Sequence, residues 1–280
     1  MSETKLTIRD IIEKKRGGGK ITALTAYDAS FARLLDQAGI DILLVGDSLG
    51  MVVLGYDSTV PVTMAEMLHH ARAVNRGRHR SLLVGDMPFL SYQSSTREAI
   101  RNGGRFLKEA GCDAVKVEGG PEVADIVQAM VRAGIPVMGH IGLTPQTASQ
   151  LGGFRVQGRD ADSARELLAA ARALEESGAF ALVLECIPDR LAQMITDRLA
   201  IPTIGIGAGS GCDGQVLVTH DLLGLFEKFV PRFVKTYANL APAIKEAVAS
   251  FREEVQAGTF PAAEHCFAMR IDPSAIEDEK

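Results

Sequence analysis

LLVGD stands at residues 43–47 of the 280-residue chain and again at residues 82–86. Each copy is an apolar run that ends in glycine and then in a carboxylate, Asp47 or Asp86. Strands buried in a parallel sheet read as near-continuous apolar runs, and ligands bind at their carboxyl ends. The repeat therefore predicts two buried strands of the same phase that bring both carboxylates to one rim. The alternative is that each carboxylate only caps the turn that follows it.

Apolar runs of strand length alternate with helix-period segments along the whole chain. The predicted strands are residues 21–26, 42–46, 81–85, 114–118, 136–139, 181–184, 202–206 and 233–237. Eight βα units without a Pro/Ser-rich break predict an α/β fold, a single TIM (β/α)8 barrel. A doubly wound sheet is the alternative, but it more often shows a GxGxxG turn after its first strand, and residues 26–28 do not form one.

The length and the apolar fraction are sufficient for one large α/β domain or two small ones. We expect one barrel domain over residues 1–267 with a short N-terminal helix, and an acidic tail at residues 268–280. The net charge of −5 offers no basic surface for nucleic acid. We find neither a signal-peptide h-region nor an apolar run of bilayer length, which predicts a cytoplasmic protein without a membrane partner. The four scattered cysteines predict reduced thiols rather than a zinc site or a disulfide framework.

Polar residues stand at or just after the ends of several predicted strands. They are Asp47, Asp86, Lys116, Glu118, His140 and Glu185. The carboxyl ends of the strands form the active-site face of TIM barrels, so we expect these side chains to converge. Lys116 and Glu118 are two residues apart and share one face of their strand. Burying a Lys and a Glu in a barrel mouth is costly unless they bind something.

The three carboxylates of Asp47, Asp86 and Glu118 have no Cys or His neighbours at metal-ligand spacing. Oxygen ligands alone favour a hard divalent cation such as Mg²⁺, which keeps water positions open for substrate. The alternative is that Lys116 simply pairs with Asp86 or Glu118 in a buried ion pair.

Glu185 lies between Leu184 and Cys186. This apolar setting predicts a raised pKa and suits Glu185 to proton abstraction, although it could instead cap the helix that follows Pro188. His140, in a loop rich in special residues, is as consistent with a packed loop histidine as with a catalytic one. The glycines of residues 205–209 could bind phosphate on backbone N–H groups, or allow close approach of any ligand.

Seven motifs together resemble those of the ketopantoate hydroxymethyltransferase family. In order, they are VGDSLG (45–50), TVPVTM (59–64), GDMPFLSY (85–92), KVEGG (116–120), GHIGLTPQ (139–146), ECIP (185–188) and IGIGAGSGCDGQVLV (204–218). The resemblance covers about residues 6–267. It implies a barrel of the phosphoenolpyruvate/pyruvate-domain type. It also implies hydroxymethyl transfer from 5,10-methylenetetrahydrofolate to 3-methyl-2-oxobutanoate, giving 2-dehydropantoate in the first step of pantothenate and coenzyme A biosynthesis.

The resemblance also implies roles for individual residues. One Mg²⁺ per subunit would be held by Asp47, Asp86 and Glu118. The oxo acid would contact Asp47, Ser48, Asp86 and Lys116. Glu185 would be the base that removes the C3 proton of the oxo acid. The family is further expected to form a homodecamer.

Three other functions are alternatives to this one. A Mg²⁺-dependent lyase or mutase of the phosphoenolpyruvate/pyruvate barrel type would use similar chemistry on a different carbon skeleton. Lys116 could instead be a Schiff-base nucleophile, as in metal-free aldolases. A catalytically silent metabolite-binding protein is the alternative from a different class.

Overall fold

The structure is a computed structural model that describes residues 4–149, 153, 155–228 and 230–270. Its strands are β1 Ile21–Thr25, β2 Ile42–Val45, β3 Leu82–Asp86, β4 Ala114–Glu118, β5 Val137–Gly142, β6 Ala181–Glu185, β7 Thr203–Ile206 and β8 Gly214–Leu217. Its helices are α1 Ile8–Arg16, α2 Ala29–Gln37, α3 Leu49–Val52, α4 Met64–Gly77, α5 Thr96–Ala110, α6 Ala124–Arg132, α7 Ala161–Glu176, α8 Asp189–Arg198, α9 Thr219–Leu222 and α10 Leu240–Ala257. Short 3₁₀ turns lie at Pro121–Val123, Pro145–Thr147 and Ala263–His265.

The eight strands form one closed parallel barrel in chain order, and β8 pairs with β1. The predicted TIM barrel is therefore confirmed, and the doubly wound alternative is wrong. The predicted acidic tail falls mostly on residues 271–280, which lie outside the described residues, so the limits of the domain stay a prediction.

The eighth strand is not where the sequence predicted it. Residues 233–237 are irregular, and β8 lies at Gly214–Leu217, at the end of the Gly-rich segment. Gly214 is required there, because a Cβ at this position would lie 2.5 Å from the carbonyl oxygen of Ile21 on β1. Phe233 instead packs over Gly207, whose added Cβ would lie 2.7 Å from the Phe233 ring. Phe233 therefore belongs to an irregular segment and not to a barrel strand.

The two LLVGD copies pair side by side, but not in the same phase. Leu43 of β2 lies opposite Leu83 of β3, which offsets the copies by one residue. Side chains alternate between the two faces of a strand, so this offset sends equivalent residues to opposite faces. Gly85 therefore faces outward, where a Cβ would lie 2.4 Å from Phe106 of α5, whereas Gly46 faces the cavity described below.

Apolar side chains form two layers, one inside the barrel and one between the strands and the helices. Helix α1 closes the amino end of the barrel, where Ile11 is fully buried and packs in the inner layer. Lys14 and Lys15 on this helix pair with Asp41 and Asp213 at 2.6 and 2.9 Å. These contacts hold α1 against the amino end of the barrel.

Helix α10 leaves an apolar face exposed, formed by Ile244, Val248, Phe251 and Val255. In the part of the chain that the structure describes, no helix is long and apolar enough to cross a membrane. The four cysteines are free thiols; Cys266 is exposed and the other three are buried.

Candidate active site at the carboxyl ends of the strands

A cavity of about 400 Å³ opens at the carboxyl end of the barrel. We call it the barrel cavity. The strand-end residues that the sequence singled out all line it: Asp47, Ser48, Asp86, Lys116, Glu118, His140 and Glu185. Residues up to 138 positions apart in the chain thus meet at one place, because parallel strands share one carboxyl end.

The carboxylates of Asp47, Asp86 and Glu118 form a buried acidic cluster. One oxygen from each lies within 4.8 Å of the other two, a separation that a single metal ion can bridge. Asp86 and Glu118 end β3 and β4 and point inward. Asp47 lies two residues past the end of β2, so the chain must turn at Gly46 to bring it to the same point.

Gln146 organises this cluster from the 3₁₀ turn after β5. Its Nε2 donates a hydrogen bond to Asp47 Oδ2 at 3.0 Å, and its backbone N–H donates to Glu118 Oε2 at 3.0 Å. The backbone N–H of Asp47 points at Asp86 Oδ2 at 3.3 Å. These contacts link residues far apart in sequence, so Asp47 and Asp86 are not local turn caps. Gln146 itself was missed as a site residue, although it ends the GHIGLTPQ motif.

Lys116 is the ammonium beside the acidic cluster. Its Nζ lies 2.9 Å from Asp86 Oδ1 and 3.5 Å from Glu118 Oε1. The buried ion pair, which the sequence analysis gave as the alternative to a metal site, is therefore present. The Asp86 Oδ1 contact is ionic and lacks hydrogen-bond alignment, which leaves this buried oxygen without a hydrogen-bond partner among the described residues. Although burial lowers the pKa of Lys116, the surrounding carboxylates outweigh it and raise that pKa, so Lys116 stays charged.

One ammonium does not neutralise three carboxylates. The pKa of Asp47 is raised well above its usual range by burial and by the charges of Asp86 and Glu118. The pKa of Asp86 is also raised, mainly by burial, with Lys116 opposing the shift. A buried cluster in which neighbouring carboxylates raise the pKa of Asp47, and in which one oxygen has no hydrogen bond among the described residues, fits a divalent cation, and its oxygen-only donors suit Mg²⁺.

His140 joins the acidic cluster to Glu185. It lies inside β5 rather than in the loop after it, because β5 continues to Gly142, beyond the predicted end at residue 139. Its Nδ1 lies 3.4 Å from Glu118 Oε1 and its Nε2 lies 3.3 Å from Glu185 Oε2, the latter without hydrogen-bond alignment. Burial and the Lys116 charge lower the pKa of His140, but Glu118 and Glu185 outweigh them and raise it to about 9.

Glu185 ends β6, two strands along the barrel from Glu118, and 15% of its side chain is exposed. The suggestion that it caps the next helix is wrong, since α8 begins at Asp189 without a side-chain cap. Its backbone is packed tightly: a Cβ on Gly142 would lie 2.1 Å from the Glu185 carbonyl oxygen. Cys186 follows with φ of +48°, a conformation that non-glycine residues rarely adopt. The backbone on both sides of Glu185 is thus held in a closely packed turn.

Ser48 lines the cavity next to Asp47. Its Oγ lies 2.8 Å from the hydroxyl of Tyr27, which follows β1 and is 3% exposed. Burial raises the pKa of Tyr27, so this hydroxyl stays protonated and can orient Ser48. Tyr27 was not predicted as a site residue.

A closed parallel barrel with a buried acidic cluster at its carboxyl end defines this chain as a (β/α)8-barrel enzyme with a candidate metal site. The phosphoenolpyruvate phosphomutase of Streptomyces platensis subsp. rosaceus has a similar fold, with a TM-score of 0.59, 17% identity and 92% of each chain covered. So does 2,3-dimethylmalate lyase, a member of the PEP mutase/isocitrate lyase superfamily, with a TM-score of 0.56, 17% identity, and 96% of this chain and 93% of the lyase covered. At this identity the likeness concerns the fold alone.

Comparison of the sequence with known proteins identifies the family within this class of enzymes. The model of the family described as ketopantoate hydroxymethyltransferase matches residues 5–263. The 3-methyl-2-oxobutanoate hydroxymethyltransferase of Desulfotalea psychrophila is 63% identical over 95% of each chain. That of Syntrophobacter fumaroxidans is 57% identical over 99% of this chain and 100% of its own. The chain belongs to the ketopantoate hydroxymethyltransferase family, whose members are hydroxymethyl-transferring enzymes.

Proposed function

We propose that the chain transfers a hydroxymethyl group from 5,10-methylenetetrahydrofolate to 3-methyl-2-oxobutanoate and so makes 2-dehydropantoate, the first intermediate of pantothenate and coenzyme A biosynthesis. The observation that carries this proposal is that Glu185 lines the same cavity as the acidic cluster and Lys116. A 2-oxo acid has a carboxylate and a ketone oxygen on adjacent carbons. Such a substrate needs positive charge at one end and a base at its C3 atom.

The acidic cluster supplies the site for the positive charge. Asp47, Asp86 and Glu118 would hold one Mg²⁺, which acts as a Lewis acid and stabilises negative charge on the ketone oxygen. Gln146 keeps two of these carboxylates in place through hydrogen bonds at 3.0 Å. Outer partners of this kind orient metal ligands and tune their affinity.

Lys116 and Ser48 would bind the oxo acid beside the cluster. The Lys116 ammonium is buried and would neutralise substrate charge there, where an ion pair is stronger than in solution. The Ser48 hydroxyl, oriented by Tyr27 at 2.8 Å, can donate to a substrate oxygen. A charged Lys116 is a poor amine nucleophile, so this geometry disfavours the Schiff-base alternative.

Glu185 would remove the proton from C3 of the oxo acid. Its carboxylate projects into the cavity from the end of β6, on a backbone fixed by the turn at Cys186. The resulting carbon nucleophile attacks the methylene carbon of the folate, both carbon–nitrogen bonds of that carbon break, and water supplies the hydroxyl oxygen. Of the two protons that the freed folate nitrogens take up, one comes from C3 by way of Glu185 and the other from that water.

Proton exchange at C3 tests the role of Glu185 without the folate. Wild-type enzyme with Mg²⁺ and 3-methyl-2-oxobutanoate in D₂O should exchange the C3 proton, followed by NMR. We expect Glu185→Gln to slow exchange by about 100-fold or more, since removal of a positioned base typically costs about 10²–10⁴ in rate. Glu166→Gln, on the exposed face of α7, is the matched control and should exchange at the wild-type rate. Undiminished exchange in Glu185→Gln would contradict the assignment.

A further inference from the structure

A second buried carboxylate, separate from the acidic cluster, lines the barrel cavity. It belongs to Asp221 in α9, which is 8% exposed. Its Oδ1 is buried without a hydrogen-bond partner among the described residues. Asp221 has no role in the chemistry proposed for the oxo acid.

The structure holds Asp221 firmly in this position. The hydroxyl of Thr219 donates to the carbonyl oxygen of Thr25 at 2.5 Å, and the backbone N–H of Thr219 donates to the Thr25 hydroxyl at 3.0 Å. These bonds fix α9 to the carboxyl end of β1. Asp221 therefore lines the same cavity as the acidic cluster from a fixed position.

Buried carboxylates elsewhere in the chain have partners. Asp36 accepts hydrogen bonds from the backbone N–H groups of residues 79–81. Asp41 accepts from Lys14 Nζ at 2.6 Å and from a backbone N–H at 2.9 Å. Burial lowers the stability of an ionised carboxylate unless donors compensate, so structural carboxylates are normally satisfied. Asp221 is not, and burial raises its pKa to about 6. Such a group is placed for a ligand that brings its own donors.

The surroundings of Asp221 indicate what shape this ligand has. Val218, Phe226 and Phe233 give the cavity apolar and aromatic walls on this side. Arg155 and Arg232 line the same cavity and are exposed. The ligand should therefore be flat and largely apolar, with paired N–H donors at its buried end and an anionic group at its exposed end.

Reduced folates have these features in this order. The pterin ring carries an N3–H and a 2-amino group side by side, which can donate two parallel hydrogen bonds to one carboxylate. The flat ring suits apolar and aromatic walls, and the glutamate carboxylates at the other end suit arginine.

We propose that Asp221 binds the N3–H and 2-amino edge of the pterin ring of the one-carbon donor, and so holds that donor over the oxo acid. This inference rests on the proposed function and names the residue that recognises the second substrate. Asp221 acts in binding and takes no part in the transfer of protons at C3.

Steady-state kinetics of Asp221→Asn test the inference. We expect the KM for 5,10-methylenetetrahydrofolate to rise about 10- to 100-fold, the loss typical of a charge-assisted pair of hydrogen bonds, while the KM for the oxo acid stays within about twofold. Asp189→Asn is the matched control, since Asp189 is exposed at the same end of the barrel but does not line the cavity. It should leave both KM values at wild-type levels. An unchanged folate KM in Asp221→Asn would overturn the inference.

Binding of a folate analogue that lacks the 2-amino group distinguishes a loss of pterin recognition from general damage to the protein. Wild-type enzyme should bind tetrahydrofolate about 10- to 100-fold more tightly than the analogue with a 2-methyl group, and Asp221→Asn should bind the two alike. Equal discrimination by both proteins would overturn the inference, and Asp221→Ser repeats the comparison if Asp221→Asn fails to fold. Failure of the proposed function shows differently, as wild-type enzyme that exchanges the C3 proton but makes no product from the folate.

Discussion

Asp221→Asn should make the protein more stable at neutral pH even as it weakens folate binding. The pKa of Asp221 is raised by burial from 3.8 to about 6. Because the folded-state pKa lies above the unfolded one, ionising Asp221 favours the unfolded chain. The penalty is absent below about pH 4, where both states are protonated, grows as the pH rises to about 6, and is fully present above it.

The size of the effect follows from this shift. A shift of about two units corresponds to about 3 kcal/mol at 1.4 kcal/mol per unit. Since the cavity admits water and an asparagine amide would also lack a partner, we expect a gain of about 1 to 2 kcal/mol in the free energy of unfolding.

Urea unfolding of both proteins at pH 7.5 and at pH 4.5 measures this gain. The concentration of protein must be equal in each pair, because assembly shifts apparent stability. We expect Asp221→Asn to have the higher midpoint at pH 7.5 and a much smaller advantage at pH 4.5. Equal midpoints at pH 7.5 would refute the reasoning, because they would mean that the Asp221 carboxylate is not destabilised by burial.

Two further substitutions test the parts that support the site. Gln146→Ala should weaken Mg²⁺-dependent oxo acid binding about 10- to 100-fold in calorimetry, as for other outer partners of metal ligands; Gln193→Ala on α8 is the control, and binding within twofold of wild type would contradict the role. Gly85→Ala should lower the free energy of unfolding by about 1 to 3 kcal/mol, because its Cβ would lie 2.4 Å from Phe106. Gly104→Ala, on the same helix as Phe106 with no atom within 4 Å of the added Cβ, should leave stability unchanged or raise it, and equal losses in both variants would count against the packing argument.

The barrel itself could be predicted from the sequence, because each buried strand is a short apolar run bounded by turn residues and seven of the eight predicted positions overlap the observed strands. The exception is β8, four residues that begin with Gly214. Its glycine reads as a loop residue, and the need for close approach to Ile21 becomes visible only when the barrel is closed.

The strand-end residues of the site were also predicted from the sequence, because parallel strands must bring their carboxyl ends together. The phase of the two LLVGD copies was not, since the stagger between neighbouring strands of a barrel is a property of its closure. Because of this stagger, Asp86 joins the acidic cluster from the end of β3, whereas Asp47 joins it from the turn after β2.

Gln146 and Asp221 were missed for a different reason. Both lie in segments that follow strand ends. Gln146 is identified by its hydrogen bonds to distant carboxylates, and Asp221 by a buried oxygen that has no hydrogen-bond partner among the described residues. Spacing along the chain carries no signal for such contacts.

The most direct test of the proposed function is a crystal structure of the enzyme with Mn²⁺, as an anomalous scatterer in place of Mg²⁺, and 3-methyl-2-oxobutanoate. We expect one anomalous peak per subunit between Asp47, Asp86 and Glu118, with the oxo acid beside Lys116 and its C3 atom facing Glu185. A metal bound elsewhere, or an oxo acid whose C3 atom faces away from Glu185, would contradict the proposed function.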